Sequence, residues 1–124
     1  MPNYWLLKTE PTGYSFADLE REETTQWTGV SNPLAKKHLR AMREGDRVLV
    51  YHTGKERQIV GIAEVIREGE EPQLRVCDRL KRPVTLAAIK ARKEFGNFEL
   101  VRIGRLSVMP VSAERWKALL AMAG

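Results

Sequence analysis

Five short runs of β-branched and aromatic residues, each bounded by glycine, proline or charged turns, constrain this chain more than any other feature. They cover residues 4–8, 47–52, 58–66, 73–78 and 99–103 and read as strands. Only short helices fit between them. Ser15, with Asp18 three residues on, forms a capping box that opens a helix through Leu19. Asn32 before Pro33 puts a good N-cap ahead of the residue type favoured at the first helical position; this helix runs to about Arg43 and Gly45 stops it. Thr85 caps a third helix through Lys90, and Ser112 caps the last, where Trp116, Leu119, Leu120 and Ala123 recur at helical spacing. The charged segment REGEEP at 67–72 reads as a hairpin loop. Strands and helices interleave irregularly, leaving no room for the long crossovers of a doubly wound parallel sheet. The expected fold is α+β, with a curved or barrel-like sheet and short flanking helices, in one compact module over residues 1–124.

Charge and cysteine usage narrow the partners. Twenty-one Lys+Arg against sixteen Asp+Glu give a formal charge of +5, which favours a polyanionic partner without demanding one. Cys77 is the single cysteine, so no internal disulfide forms and a reducing compartment is the natural setting; its place in the alternating run QLRVCD suggests a small core residue. No apolar run is long enough to span a bilayer, and a soluble, cytoplasmic protein is expected.

Polar and aromatic residues beside the strands define a candidate pocket. Trp27 lies in the polar stretch from Thr24 to Asn32 and lacks apolar periodicity, which leaves it as a stacking wall for a flat ligand or as an ordinary packing residue. On that reading Trp27→Ala leaves folding largely intact. Trp5 and Trp116 fall within apolar patterns and belong to the core. Asn32 can cap its helix, contact the polar edge of a base, or do both through different atoms. His52, at a strand end, can donate to a phosphate or a base or make a structural hydrogen bond, and His38 faces partly to solvent on its helix. Lys36, Arg40 and Arg43 share one helix face with Lys37 beside them, either as solvated charge or as a track for phosphates. No cluster of His, Cys, Asp or Glu at ligand spacing suggests a metal site or a cofactor. A Ser107, His52, Asp46 triad lacks the nucleophile-elbow context, so catalysis is not expected.

The segments YWLLKTEPTGYSFADL, WTGVSN, LRAMREGDRVLVYHTG, VGIAEV and RLSVMPV resemble, in order and rough spacing, those of EVE domains over nearly the whole chain. The resemblance implies a fold similar to the PUA superfamily and a pocket for a modified base, as in the related YTH domains that read methylated adenine. Carried over, it points to Lys8 and Thr9, to Trp27 and Asn32, to Tyr51, His52 and Thr53, and to Arg105 and Ser107 as ligand-binding residues. The chain departs from the usual W-x-G-V-R-N pattern at Ser31, and Pro33-Leu34-Ala35-Lys36-Lys37 replaces the expected Ala-Arg-Asn element. One cation and one amide of the pattern are therefore missing. The leading expectation is a non-enzymatic module that binds a modified nucleobase in DNA or RNA, with Lys36, Lys37, Arg40 and Arg43 on the backbone. The alternatives are a small enzyme acting on a nucleotide or related metabolite in the same pocket, and a protein-interaction module whose pocket is vestigial.

Overall fold

A computed structural model describes residues 2–124. Its elements run in the order β1 (Tyr4–Thr9), α1 (Phe16–Glu22), β2 (Thr24–Gln26), α2 (Pro33–Ala41), β3 (Arg47–His52), β4 (Gln58–Arg67) and β5 (Gln73–Thr85). There follow α3 (Leu86–Lys90), a 3-10 turn at Lys93–Phe95, α4 (Glu99–Arg102), β6 (Val108–Val111) and α5 (Ala113–Met122). The six strands form one sheet in the order β2-β5-β4-β3-β1-β6. Among the described residues only β1 and β3 pair in parallel; the other neighbours are antiparallel. Register shifts at Val50/Tyr51, Ile59/Gly61, Ile62/Ala63 and Val65/Arg67 mark bulges. Bulges increase local twist, and here they curl the sheet into a half-barrel.

The apolar faces of β1, β3 and β4 form the core with Phe16, Leu39, Phe95, Phe98 and Leu119. Phe16 reaches the sheet because Gly61, in mid-strand, has no side chain. A Cβ there would collide with the Phe16 ring, so the glycine answers a close approach rather than a turn. Asp46 is the other fixed point. Its carboxylate accepts from Asn3 N (2.9 Å), Trp5 Nε1 (2.9 Å) and Arg43 N (2.9 Å), tying β1 to the exit of α2. That bond draws Arg43 out of the helix, which ends at Ala41, earlier than the stop at Gly45 implies.

All four expected caps form: Ser15 with its reciprocal Asp18 contact, Asn32, Thr85 and Ser112 each accept from the backbone three residues on. Trp5 and Trp116 are buried, and Trp116 stacks on Tyr4 at 4.4 Å. Two readings are corrected. Residues 99–103, expected as a strand, begin with the single turn of α4, because Phe98 and Leu100 bury in the core and a lone apolar run does not distinguish strand from helix. Cys77 is exposed, since the second half of β5 extends beyond the covered face of the sheet. Among the described residues no helix is long and apolar enough to cross a membrane.

Candidate functional site

The sheet order places β2 and β6 at opposite edges, and a cavity of about 550 Å³ opens between them. One wall comes from the end of β1 and the approach to β6, with Lys8, Thr9, Arg105 and Ser107. The other comes from β2 and the loop into α2, with Thr25, Trp27 and Asn32. Lys8 N donates to Ser107 O (2.9 Å), and Trp27 N donates to Pro72 O (2.9 Å), so each wall is pinned by backbone. The cavity is thus the place where the barrel stays open.

One corner is aromatic. Tyr14 and Trp27 meet edge to face, with centroids 6.3 Å apart and planes at 85°. Tyr14 Oη donates to Glu22 (2.7 Å), and burial raises its phenol above the usual tyrosine range. The opposite wall is cationic. Lys8 Nζ donates to Gly104 O (2.8 Å) and lies 5.6 Å from the Tyr51 ring centre. Burial holds its ammonium below the usual lysine range. Among the described residues neither Lys8 nor Arg105 has a carboxylate at ion-pairing distance. Glu10 also lines the cavity; Thr12 N donates to it and, with the Thr12 and Thr53 hydroxyls, keeps the carboxyl below the ordinary range. A corner for a flat ring faces two cations with unused hydrogen-bonding capacity. Chemically, that suits a planar ligand with acceptor atoms or an attached anion.

Of the nine candidate ligand residues, Lys8, Thr9, Trp27, Asn32, Arg105 and Ser107 come together at this cavity, and Tyr51, His52 and Thr53 do not line it. His52 is buried, accepts from Phe16 N through Nε2 (3.0 Å) and meets Glu56 Oε1 through Nδ1 (2.9 Å), which sets the proton on Nδ1. Both nitrogens are therefore committed to the structure. Tyr51 lies buried behind Lys8, and Thr53 holds Glu10. The Ser107, His52, Asp46 triad is not assembled: His52 engages Phe16 and Glu56, and Asp46 engages Asn3, Trp5 and Arg43.

Trp27 departs from the reading of its polar surroundings. It is only 8% exposed and belongs to the core cluster, so its removal cannot leave folding untouched. Asn32 Oδ1 caps α2 through Ala35 N (3.0 Å), and among the described residues its amide nitrogen has no hydrogen-bond partner. His38 is half-buried with its ring 5.9 Å from Trp5, and burial lowers its pKa. Lys36 and Lys37 are exposed on α2, while Arg40 pairs with Glu70 (3.6 Å) and Arg43 with Glu68 (3.8 Å). Tyr14, Thr25 and Glu10 were missed as lining residues. Tyr14 carried the available signal, an aromatic in a polar turn without apolar periodicity, as Trp27 is in the stretch from Thr24 to Asn32.

The protein is a small α+β half-barrel that stays open at an aromatic and cationic cavity. The EVE domain profile matches residues 3–79 and 72–122, and the chain belongs to the EVE domain family. Thymocyte nuclear protein 1 of Gallus gallus is 30% identical over an alignment covering 96% of this chain and 68% of that protein. The Homo sapiens protein of the same name is 27% identical, over 98% of this chain and 74% of its own. Among solved structures, a Rhodopseudomonas palustris protein determined by NMR shares 41% identity at TM-score 0.92, covering 98% of this chain and 93% of that one. The human THYN1 protein, crystallised in complex with 5-methylcytosine-containing DNA, shares the fold at TM-score 0.89 and 24% identity, covering 98% of this chain and 97% of that one. The PUA-like architecture expected from the motifs is the one observed.

Proposed function

We propose that this protein is a nucleic-acid-binding module that takes a modified nucleobase into the cavity between its two sheet edges. The Tyr14–Trp27 corner facing unpaired Lys8 and Arg105 is the observation that carries this reading. The base stacks on Trp27, its acceptor atoms meet Lys8 and the Asn32 amide, and Arg105 and Ser107 hold the sugar-phosphate side. Lys36 and Lys37 contact the adjoining backbone. Tyr51, His52 and Thr53 act from behind: Tyr51 backs the Lys8 ammonium, His52 anchors the start of α1, and Thr53 fixes Glu10. The crystallised complex of human THYN1 with 5-methylcytosine-containing DNA supports the class of ligand. Binding without turnover fits the engagement of His52 and Asp46 in structural hydrogen bonds.

The test is a binding screen against matched oligonucleotides, DNA and RNA, with and without a modified base, starting from 5-methylcytosine. Tighter binding of one modified member, recovered chemically unchanged, is expected. Equal affinity across every pair, or conversion of the ligand, overturns the reading.

A further inference from the structure

The hairpin between β4 and β5 carries Glu68, Glu70 and Glu71 and lies against the basic side of α2. Arg40 Nη1 is 3.6 Å from Glu70 and Arg43 Nη1 is 3.8 Å from Glu68, across a shallow cleft lined by these four residues and Gly69. Glu68 also accepts from Glu44 N (3.0 Å), which moors the hairpin tip beside the exit of α2. A second cavity, about 300 Å³, runs from Trp27, Gly29 and Val30 past Lys36 to Glu70 and Glu71. It shares Trp27, Gly29 and Val30 with the main cavity, so the acidic tip sits next door to the proposed base site.

Exposed ion pairs of this length add little to stability, so holding the fold together is a poor account of two such contacts on one face. Their position is more telling. The carboxylates stand where phosphate oxygens would stand if α2 tracked a nucleic-acid backbone. Resting on the nucleic-acid reading above, we infer that the acidic hairpin is an intramolecular competitor that occupies Arg40, in the last turn of α2, and Arg43, just beyond it, as further phosphate contacts beside Lys36 and Lys37, and gives way to a backbone. A polyanion with no base to offer must displace the carboxylates for the small gain of exchanging one set of exposed ion pairs for another. A strand whose base enters the adjoining cavity has that binding energy to open the face. The hairpin therefore weakens every backbone contact made at Arg40 and Arg43 by the same factor, and a strand with no base in the cavity has nothing to offset that loss.

The experiment compares wild type with Glu68→Gln/Glu70→Gln on a DNA oligonucleotide carrying 5-methylcytosine and on its unmodified twin. Glutamine keeps an acceptor for Glu44 N while removing the charge, and thermal melting checks that the fold survives. A second double variant, Glu94→Gln/Glu114→Gln, makes the same charge change away from the hairpin. The expected result is about fivefold or greater tightening on the unmodified strand at 0.1 M salt, with a salt slope steeper by about one for each arginine released. The modified strand tightens by a similar factor, because it opens the same face. Affinities equal to those of the control variant, or weaker than wild type, overturn the inference while leaving the base-reading function standing. If wild type binds neither oligonucleotide, that function fails and the competitor role fails with it.

Discussion

Trp27 does two jobs that its neighbours in sequence conceal. Flanked by threonines, glycine and glutamine, it carries no periodic signature of a core residue, yet it packs in the core cluster and lines the cavity. Its local pattern is polar because its cover comes from outside the window: it directly follows the polar edge strand β2, and Tyr14, from the turn before α1, meets its ring edge to face. Truncating it to alanine therefore removes packing as well as a stacking face. Trp27→Ala should lower the unfolding free energy by about 3 kcal/mol, the low end for a buried Trp→Ala change, read from urea denaturation. Trp27→Phe should keep most of that stability while weakening ligand, and only this variant isolates the stacking role. Lys8 predicts the opposite pairing of effects. Burial holds its folded-state pKa below 10.5, so near that pKa the unfolded chain binds the proton more tightly. Its charged form thus weighs against folding at neutral pH, and the deficit shrinks as pH rises through the folded value toward 10.5. Lys8→Met, which keeps the stem, should melt at or above the wild-type temperature while binding oligonucleotide more weakly. A joint fall in melting temperature and affinity would mean that the hydrogen bond to Gly104 O is structural.

At the scale of elements, α2 connects the cavity to the charged face. Its N-cap Asn32 sits at the cavity wall and its last turn carries Arg40 toward the hairpin. Asn32→Asp preserves the Oδ1 that caps Ala35 N but removes the amide donor, whereas Asn32→Ala removes both. The alanine variant should lose about 0.5–2 kcal/mol of stability and the aspartate variant little, with both losing affinity. An unchanged affinity in Asn32→Asp would confine the residue to capping. The helices were legible because caps are local: a serine, threonine or asparagine and the backbone three residues on suffice. The strands β1, β3 and β4 were legible because each pairs an apolar run with clear turn signals. What escaped the sequence depends on partners far along the chain. β2 is the polar triplet Thr24–Gln26 and exists only through its pairing with β5; β6 contains Pro110 and is an edge strand beside β1. The α4 turn and exposed Cys77 were misread for the same reason, since apolar content alone does not say which side of the sheet is covered. The candidate cavity was legible in its corners, Lys8, Trp27 and Asn32. Tyr51 and His52 were not separable from it by sequence, because the end of a strand adjoining a cavity points residues both toward it and behind it.

For the whole molecule, curvature makes the cavity. Strands distant in sheet order approach because bulges in β3, β4 and β5 curl the sheet, and the space left between the two edges holds the aromatic and cationic residues. The net charge of +5 adds a general attraction for polyanions, but a general attraction carries no base preference, so the proposed function assigns base preference to the cavity. The most direct measurement is an NMR titration of isotopically labelled protein with a 5-methylcytosine oligonucleotide and its unmodified twin. Shifts specific to the modified strand should appear at the Trp27 indole N–H, at the Tyr14 ring and at Lys8 and Arg105, while the Trp116 indole on α5 stays in place. Identical responses to the two strands, or modified-specific shifts centred on any other surface, would contradict the account.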